Sequence, residues 1–205
     1  MLPVYRSARA KLIANDSGQA MVEFAFIVPL LLIMMCAAID FGRALNTMQV
    51  IAELTRQGSS LASRVDTCAA GASLPQPQEP METLTCSGQA LVAGESGLDI
   101  GTYGEVITTA VENTGTTASP TYMITGQYTQ GGISKTSHVG TWSGSNTAAT
   151  VPAAFSTATG DQPLQAGQTM YVTEIFYKFT PITPIGKLTN SVVNLPTLLY
   201  DVAYF

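Results

Sequence analysis

Charge is what this sequence has least of: nine Lys and Arg with fourteen Asp and Glu make up only 11 % of 205 residues, against about 25 % in ordinary globular chains. The net charge of −5 leaves no basic footprint for a phosphate backbone, which argues against nucleic acid as a partner. Intrinsic disorder of the whole chain is excluded in turn, because 46 % of the residues are hydrophobic. Cysteine is equally sparse: Cys36, Cys68 and Cys86 are too few for a disulfide-dense scaffold and lack the paired short spacing of a zinc site. The single histidine, His138, stands in the polar run ISKTSHVGTW and reads as a surface residue rather than a general base. No P-loop, dinucleotide fingerprint or EF-hand loop is present. Ser143-Gly144 is not a nucleophile elbow, since Thr141 stands where the first glycine belongs. Asp99 and Glu105, in GLDIGTYGE, could offer oxygens to a calcium ion but lack the usual ligand alternation; two solvated turn carboxylates are the simpler reading. The expectation is a protein that is not an enzyme and needs no cofactor.

What is there in quantity is one long apolar run. Residues 19–39 read QAMVEFAFIVPLLLIMMCAAI, with Glu23 as the one ionisable group. As a helix these 21 residues span about 31 Å, the thickness of a hydrocarbon core. Arg6, Arg9 and Lys11 precede the run and Asp40 is the first charge after it, so the positive-inside rule puts residues 1–18 in the cytoplasm and exports the rest. A secretory signal peptide cut after Ala38 is the alternative. Against it stand the length of the run, Glu23 at its start, and the helical pattern that continues beyond Ala38. A lipoprotein signal is disfavoured by bulky Met34 and Met35 ahead of Cys36.

Beyond Asp40 the apolar positions Phe41, Leu45, Met48, Ile51, Leu54, Leu61 and Val65 recur every three to four residues, with a gap over Gly58, Ser59 and Ser60. The spacing predicts an amphipathic extension over 40–65, continuous with the span. Pro29, inside the span, removes one N–H and is expected to kink the helix, which membrane helices tolerate better than soluble ones.

The run from Asp16 to Arg43, DSGQAMVEFAFIVPLLLIMMCAAIDFGR, resembles the TadE-like minor pilins, or pseudopilins, of the tight-adherence (Tad) pilus. The matching features are Gly18 before an apolar helix whose fifth residue is Glu23, the Val22-Glu23-Phe24 core, Pro29, and the Ile39-Asp40-Phe41-Gly42-Arg43 exit. A looser likeness lies in YVTEIFYKFTPITP and LYDVAYF near the C-terminus. The resemblance implies cleavage between Gly18 and Gln19 by a membrane-embedded prepilin peptidase. It also implies pairing of Glu23 with the N-terminal amine of a neighbouring subunit. Its implied partners are other pilins, the peptidase, the inner-membrane assembly platform and the membrane itself. A charged carboxylate at the bilayer centre costs about 2.5–3.5 kcal/mol, which makes an intramembrane Glu a candidate functional residue. The plainer alternative is that Glu23, about 6 Å of helix rise from residue 19, simply reaches the interface.

Residues 66–205 differ in composition. YGEVITTAVE, PTYMITGQYT, TMYVTEIFYKF and LLYDVAYF are rich in Thr, Val, Ile, Tyr and Phe, and predict antiparallel strands of a β-rich head. Residues 113–168, dominated by Thr, Ser, Gly and Ala, suit exposed strands and surface loops or a partly mobile insertion. Cys68 and Cys86 bracket a Pro-rich loop; in an oxidising compartment a disulfide between them would contribute about 3 kcal/mol. A reactive or metal-bound thiol pair is the alternative, but no His or further Cys stands nearby to complete a site. Cys36 reads as a small apolar membrane residue.

The expected architecture is therefore α+β: a cytoplasmic prepilin-type leader over 1–18, a transmembrane helix over 19–39, an amphipathic extension over 40–65 and a β-rich exported head over 66–205. Two functions fit it. One is a minor pilin in the bacterial inner membrane that assembles or primes a Tad pilus for surface adherence; the other is a permanently anchored exported domain that binds a ligand or surface partner.

Overall fold

The computed structural model describes residues 16–63, 80–93, 97–117, 119–152, 155, 164–183 and 197–205. The architecture is α+β, a long apolar N-terminal helix followed by a five-stranded antiparallel sheet. Helix α1 covers Asp16–Ala62 without interruption, Pro29 included. Its most apolar window reaches a mean hydropathy of 2.5 and none of that window is buried, so the helix is long and apolar enough to cross a membrane.

The chain divides into two compact units. One holds residues 1–43 with 181–195, the other 44–180 with 196–205. The second contains the sheet, formed by β1 (Gly104–Asn113), β2 (Tyr122–Gly131), β3 (Thr147–Ala148), β4 (Thr169–Lys178) and β5 (Leu198–Tyr204) in the order β3-β2-β1-β4-β5. The four long strands coincide with the four β-rich runs of the sequence. β1 is the central strand and is buried along nearly its whole length, which requires cover on both faces of the sheet.

On the first face, Val106 of β1 pairs with Ile175 of β4, and both pack with Ile51 and Leu54 of α1, Leu91 of helix α2 (Pro80–Ala93), Leu98, and Ile100 of the single turn α3 (Ile100–Tyr103). Each such side chain removed from water contributes about 1.5–3 kcal/mol. Of the stripe expected from its large apolar residues, the contact face of α1 keeps Ile51 and Leu54. Phe41, Leu45, Met48 and Leu61 are exposed, whereas Thr47, Ile51, Leu54, Thr55, Ser59 and Ala62 are buried. The Gly58–Ser60 stretch, a gap in the pattern, packs closely: a Cβ at Gly58 would lie 2.4 Å from Leu91 Cδ1 and 3.0 Å from Thr173 Cγ2. Small residues win there because they let the helix backbone settle onto the sheet.

Helix α2 is the element the sequence reading lacked. Pro80 opens it, a position where the missing N–H costs nothing, and Thr108 of β1 donates its hydroxyl to Leu84 O at 3.2 Å. Cys86 therefore belongs to a helix rather than to a Pro-rich loop. The expected bridge itself lies outside the described residues, as do Cys68 and the Cys86 side chain.

The second face carries Val111, Ile124, Met170 and Val172, covered by Val139, Trp142, Ala149 and Val151 from the connection between β2 and β4. Part of the Thr/Ser/Gly/Ala-rich stretch is thus core cover and not a surface loop. Asn113, fully buried at the end of β1, ties this cover down: its Nδ2 donates to Leu164 O at 2.7 Å, and its Oδ1 accepts from Gly115 N and Thr121 N at 3.0 Å each.

Candidate functional site

The N-terminal residues singled out by the sequence lie together on α1. Gly18, Gln19 and Glu23 are exposed, and a Cβ at Gly18 would meet nothing within 4 Å. Gln19 Nε2 donates to Glu23 Oε1 at 3.4 Å, one helical turn apart. That length makes the bond weak, yet it establishes that the Glu23 carboxylate reaches residue 19. Cys36, farther along, is unpaired and half-buried.

At the end of the apolar run Asp40 is buried, 8 % exposed, and its carboxylate is enclosed by hydrogen bonds the sequence did not announce. Oδ1 accepts from the backbone N of Ile182 at 3.2 Å and of Thr183 at 3.4 Å, while Oδ2 accepts from the Thr183 hydroxyl. Burial works against the charge, but the Thr183 hydroxyl, the two backbone donors and the Arg43 charge outweigh it and hold this carboxyl below the ordinary aspartate range.

A second enclosed carboxylate, Glu174, sits mid-strand in β4, fully buried on the second sheet face. It accepts from the Ser137 hydroxyl, from His138 N at 2.9 Å and from Tyr200 OH at 2.9 Å. The His138 side chain is 64 % exposed, with Nδ1 3.8 Å from Glu174, and its ring stands edge-on to Tyr200 and Phe176. Burial, reinforced by the Glu174 charge, pushes the Tyr200 phenol well above its usual range, so it stays a donor. The cluster fastens the 137–139 segment to the sheet with every oxygen partnered, which is the signature of a structural group and not of a poised catalyst. Met170, Val172, Glu174 and Phe176 share one phase of the strand, and an acid in phase with apolar residues was the available signal for its burial.

Asp99 and Glu105 do different jobs. Asp99 Oδ1 accepts from Thr102 N at 3.0 Å as the cap of α3. Glu105 is buried with Oε2 unpartnered; burial raises its pKa, while a backbone hydrogen bond from Lys135 and the Lys135 charge work the other way. Among the described residues no group of three or more His, Cys, Asp or Glu side chains is arranged to hold a metal ion.

A family model described as TadE-like protein matches residues 18–60, from the glycine ahead of the apolar run to the close-packed end of α1. Over these residues the chain is similar to the TadE-like family. No curated protein and no solved structure matches the chain. The TadE-like match begins on Gly18 and contains Glu23, Pro29 and Asp40. It ends ahead of the sheet, so the second face and its Glu174 cluster lie outside the matched residues.

Proposed function

We propose that the protein is a minor pilin or pseudopilin of the Tad pilus, held in the bacterial inner membrane by residues 19–39 with its N-terminus cytoplasmic, and cleaved after Gly18 before assembly. The observation that carries this reading is the TadE-like match beginning on Gly18, joined to an unburied apolar helix long enough to cross a bilayer. Exposed Gly18 and Gln19 suit a peptide bond that a protease must reach. Partners in this role are other pilins, the peptidase and the assembly platform, and the role requires no catalytic chemistry of the chain itself.

Glu23 gives the mechanism. Cleavage creates an α-amine on Gln19, four residues from Glu23, in an apolar medium where an unpaired carboxylate is expensive. Pairing that amine with the Glu23 of a neighbouring subunit neutralises both charges and fixes the axial register between subunits. The weak bond from Gln19 Nε2 is easily exchanged for the stronger charged partner.

The test is the N-terminal residue of protein recovered from membranes, read by mass spectrometry. A chain beginning at Gln19 supports the proposal. An intact leader would leave a permanently anchored domain, and a start at Ile39 would install a signal peptide instead.

A further inference from the structure

We propose that Ile182 is a lipid-contacting residue, held at the bilayer surface by the Asp40 clamp. The inference rests on the reading of residues 19–39 as a membrane span. Asp40 is the first residue after that span, so its depth is that of the interface. Ile182 N lies 3.2 Å from Asp40 Oδ1, and no more than a side chain's length separates its backbone from the helix at that level. The Ile182 side chain is nevertheless 65 % exposed. On α1 the residues flanking Asp40 are apolar and open as well: Ile39 is 49 % exposed and Phe41 65 %.

Water is a poor environment for three such side chains at one level of a helix leaving the membrane. The bilayer surface buries all three at about 25 cal/mol per Å² without any protein partner. The clamp supplies what the contact needs: Asp40 satisfies the Ile182 and Thr183 N–H groups and the Thr183 hydroxyl, which would otherwise be costly to bring to a lipid interface. Asp40 is a positioning residue, and Ile182 is what it positions.

The experiment uses the full chain in vesicles, with Trp142, the sole tryptophan, replaced by Phe and a new reporter introduced as Ile182→Trp. Vesicles carry lipids brominated high on the acyl chain, which quench indole on contact. Ile182→Trp is expected to lose emission in brominated vesicles relative to unbrominated ones. Adding Asp40→Ala should diminish that loss, and the milder Thr183→Val, which deletes only the hydroxyl donor, should do so in part. A parallel Ile33→Trp chain reports the span. Quenching of Ile33→Trp without quenching of Ile182→Trp overturns this inference alone; quenching of neither overturns the span reading and this inference with it. Quenching of Ile182→Trp that neither clamp variant changes would overturn the positioning role of Asp40.

Discussion

Thr55 of α1 donates its hydroxyl to Asp201 Oδ2 of β5 at 2.5 Å, joining residues 146 positions apart. Thr55 is fully buried, and Asp201 is the cross-strand partner of Ile175 on the helix-covered face. The bond therefore fastens the second half of α1 to the edge of the sheet. Thr55→Val keeps the shape and deletes the donor, leaving a carboxylate without its partner. We expect a loss of about 2 kcal/mol, measured by chemical unfolding of the full chain in detergent, with Thr55→Ser recovering most of it.

Gly58 sets how closely α1 approaches the sheet. In an exposed helix, Gly58→Ala would stabilise by about 1 kcal/mol. Here the new Cβ would meet Leu91 Cδ1 and the β-branched Thr173, and overpacking of a filled core costs about 1–3 kcal/mol. The expected net result is a lower midpoint of unfolding. Combining Gly58→Ala with Leu91→Val should recover part of the loss, since it opens space where the clash falls; independent addition of two losses would show that the contact is not the cause.

The same substitution should act in opposite directions on the two buried carboxylates of the second sheet face. Glu174→Gln replaces one acceptor oxygen by a donor amid three donors, and a loss of about 2 kcal/mol is expected. Glu105→Gln relieves a charge whose Oε2 has no partner and should gain about 1 kcal/mol at neutral pH. The pH dependence follows from the raised pKa of Glu105. Between the ordinary glutamate value of 4.5 and the higher folded value, the folded state holds a proton that the unfolded state has released. This contribution to stability therefore falls as pH rises through that window and levels off above it. Unfolding midpoints against pH, with and without Glu105→Gln, read it directly: the variant should lose this component of the slope.

Glu23→Gln removes a charge from the apolar segment and should leave the amount of protein in the membrane unchanged or raised. Cleavage after Gly18 should persist while pilus formation fails. Glu23→Asp keeps the charge with one methylene less reach, so an intermediate phenotype is expected. Normal pili from a cleaved, fully inserted Glu23→Gln protein would end the amine-pairing mechanism while leaving the family assignment untouched.

The apolar run over 19–39, the glycine and glutamate at its head and the four strands were legible from the sequence because each is a local pattern: length of apolar chain against bilayer thickness, or a run of β-branched and aromatic residues between turn signals. Strand phase held a signal for the burial of Glu174, but only pairing within the sheet revealed that burial and the residues that enclose it. Local pattern misled where packing, not hydrophobicity, chose the residue. Gly58 and Ser59 interrupt the apolar periodicity yet lie on the packed face of α1, because close approach of a helix to a sheet favours small side chains over large ones. Polar partnerships were beyond the sequence for a related reason. Asp40 with Thr183, Thr55 with Asp201 and Glu174 with Ser137 join positions tens to more than a hundred residues apart, and a hydrogen bond leaves no periodicity along the chain. Chain composition determined that this protein has a membrane-length helix and a β-sheet; only the folded arrangement decided which face of the helix meets the sheet and which buried carboxylates are satisfied.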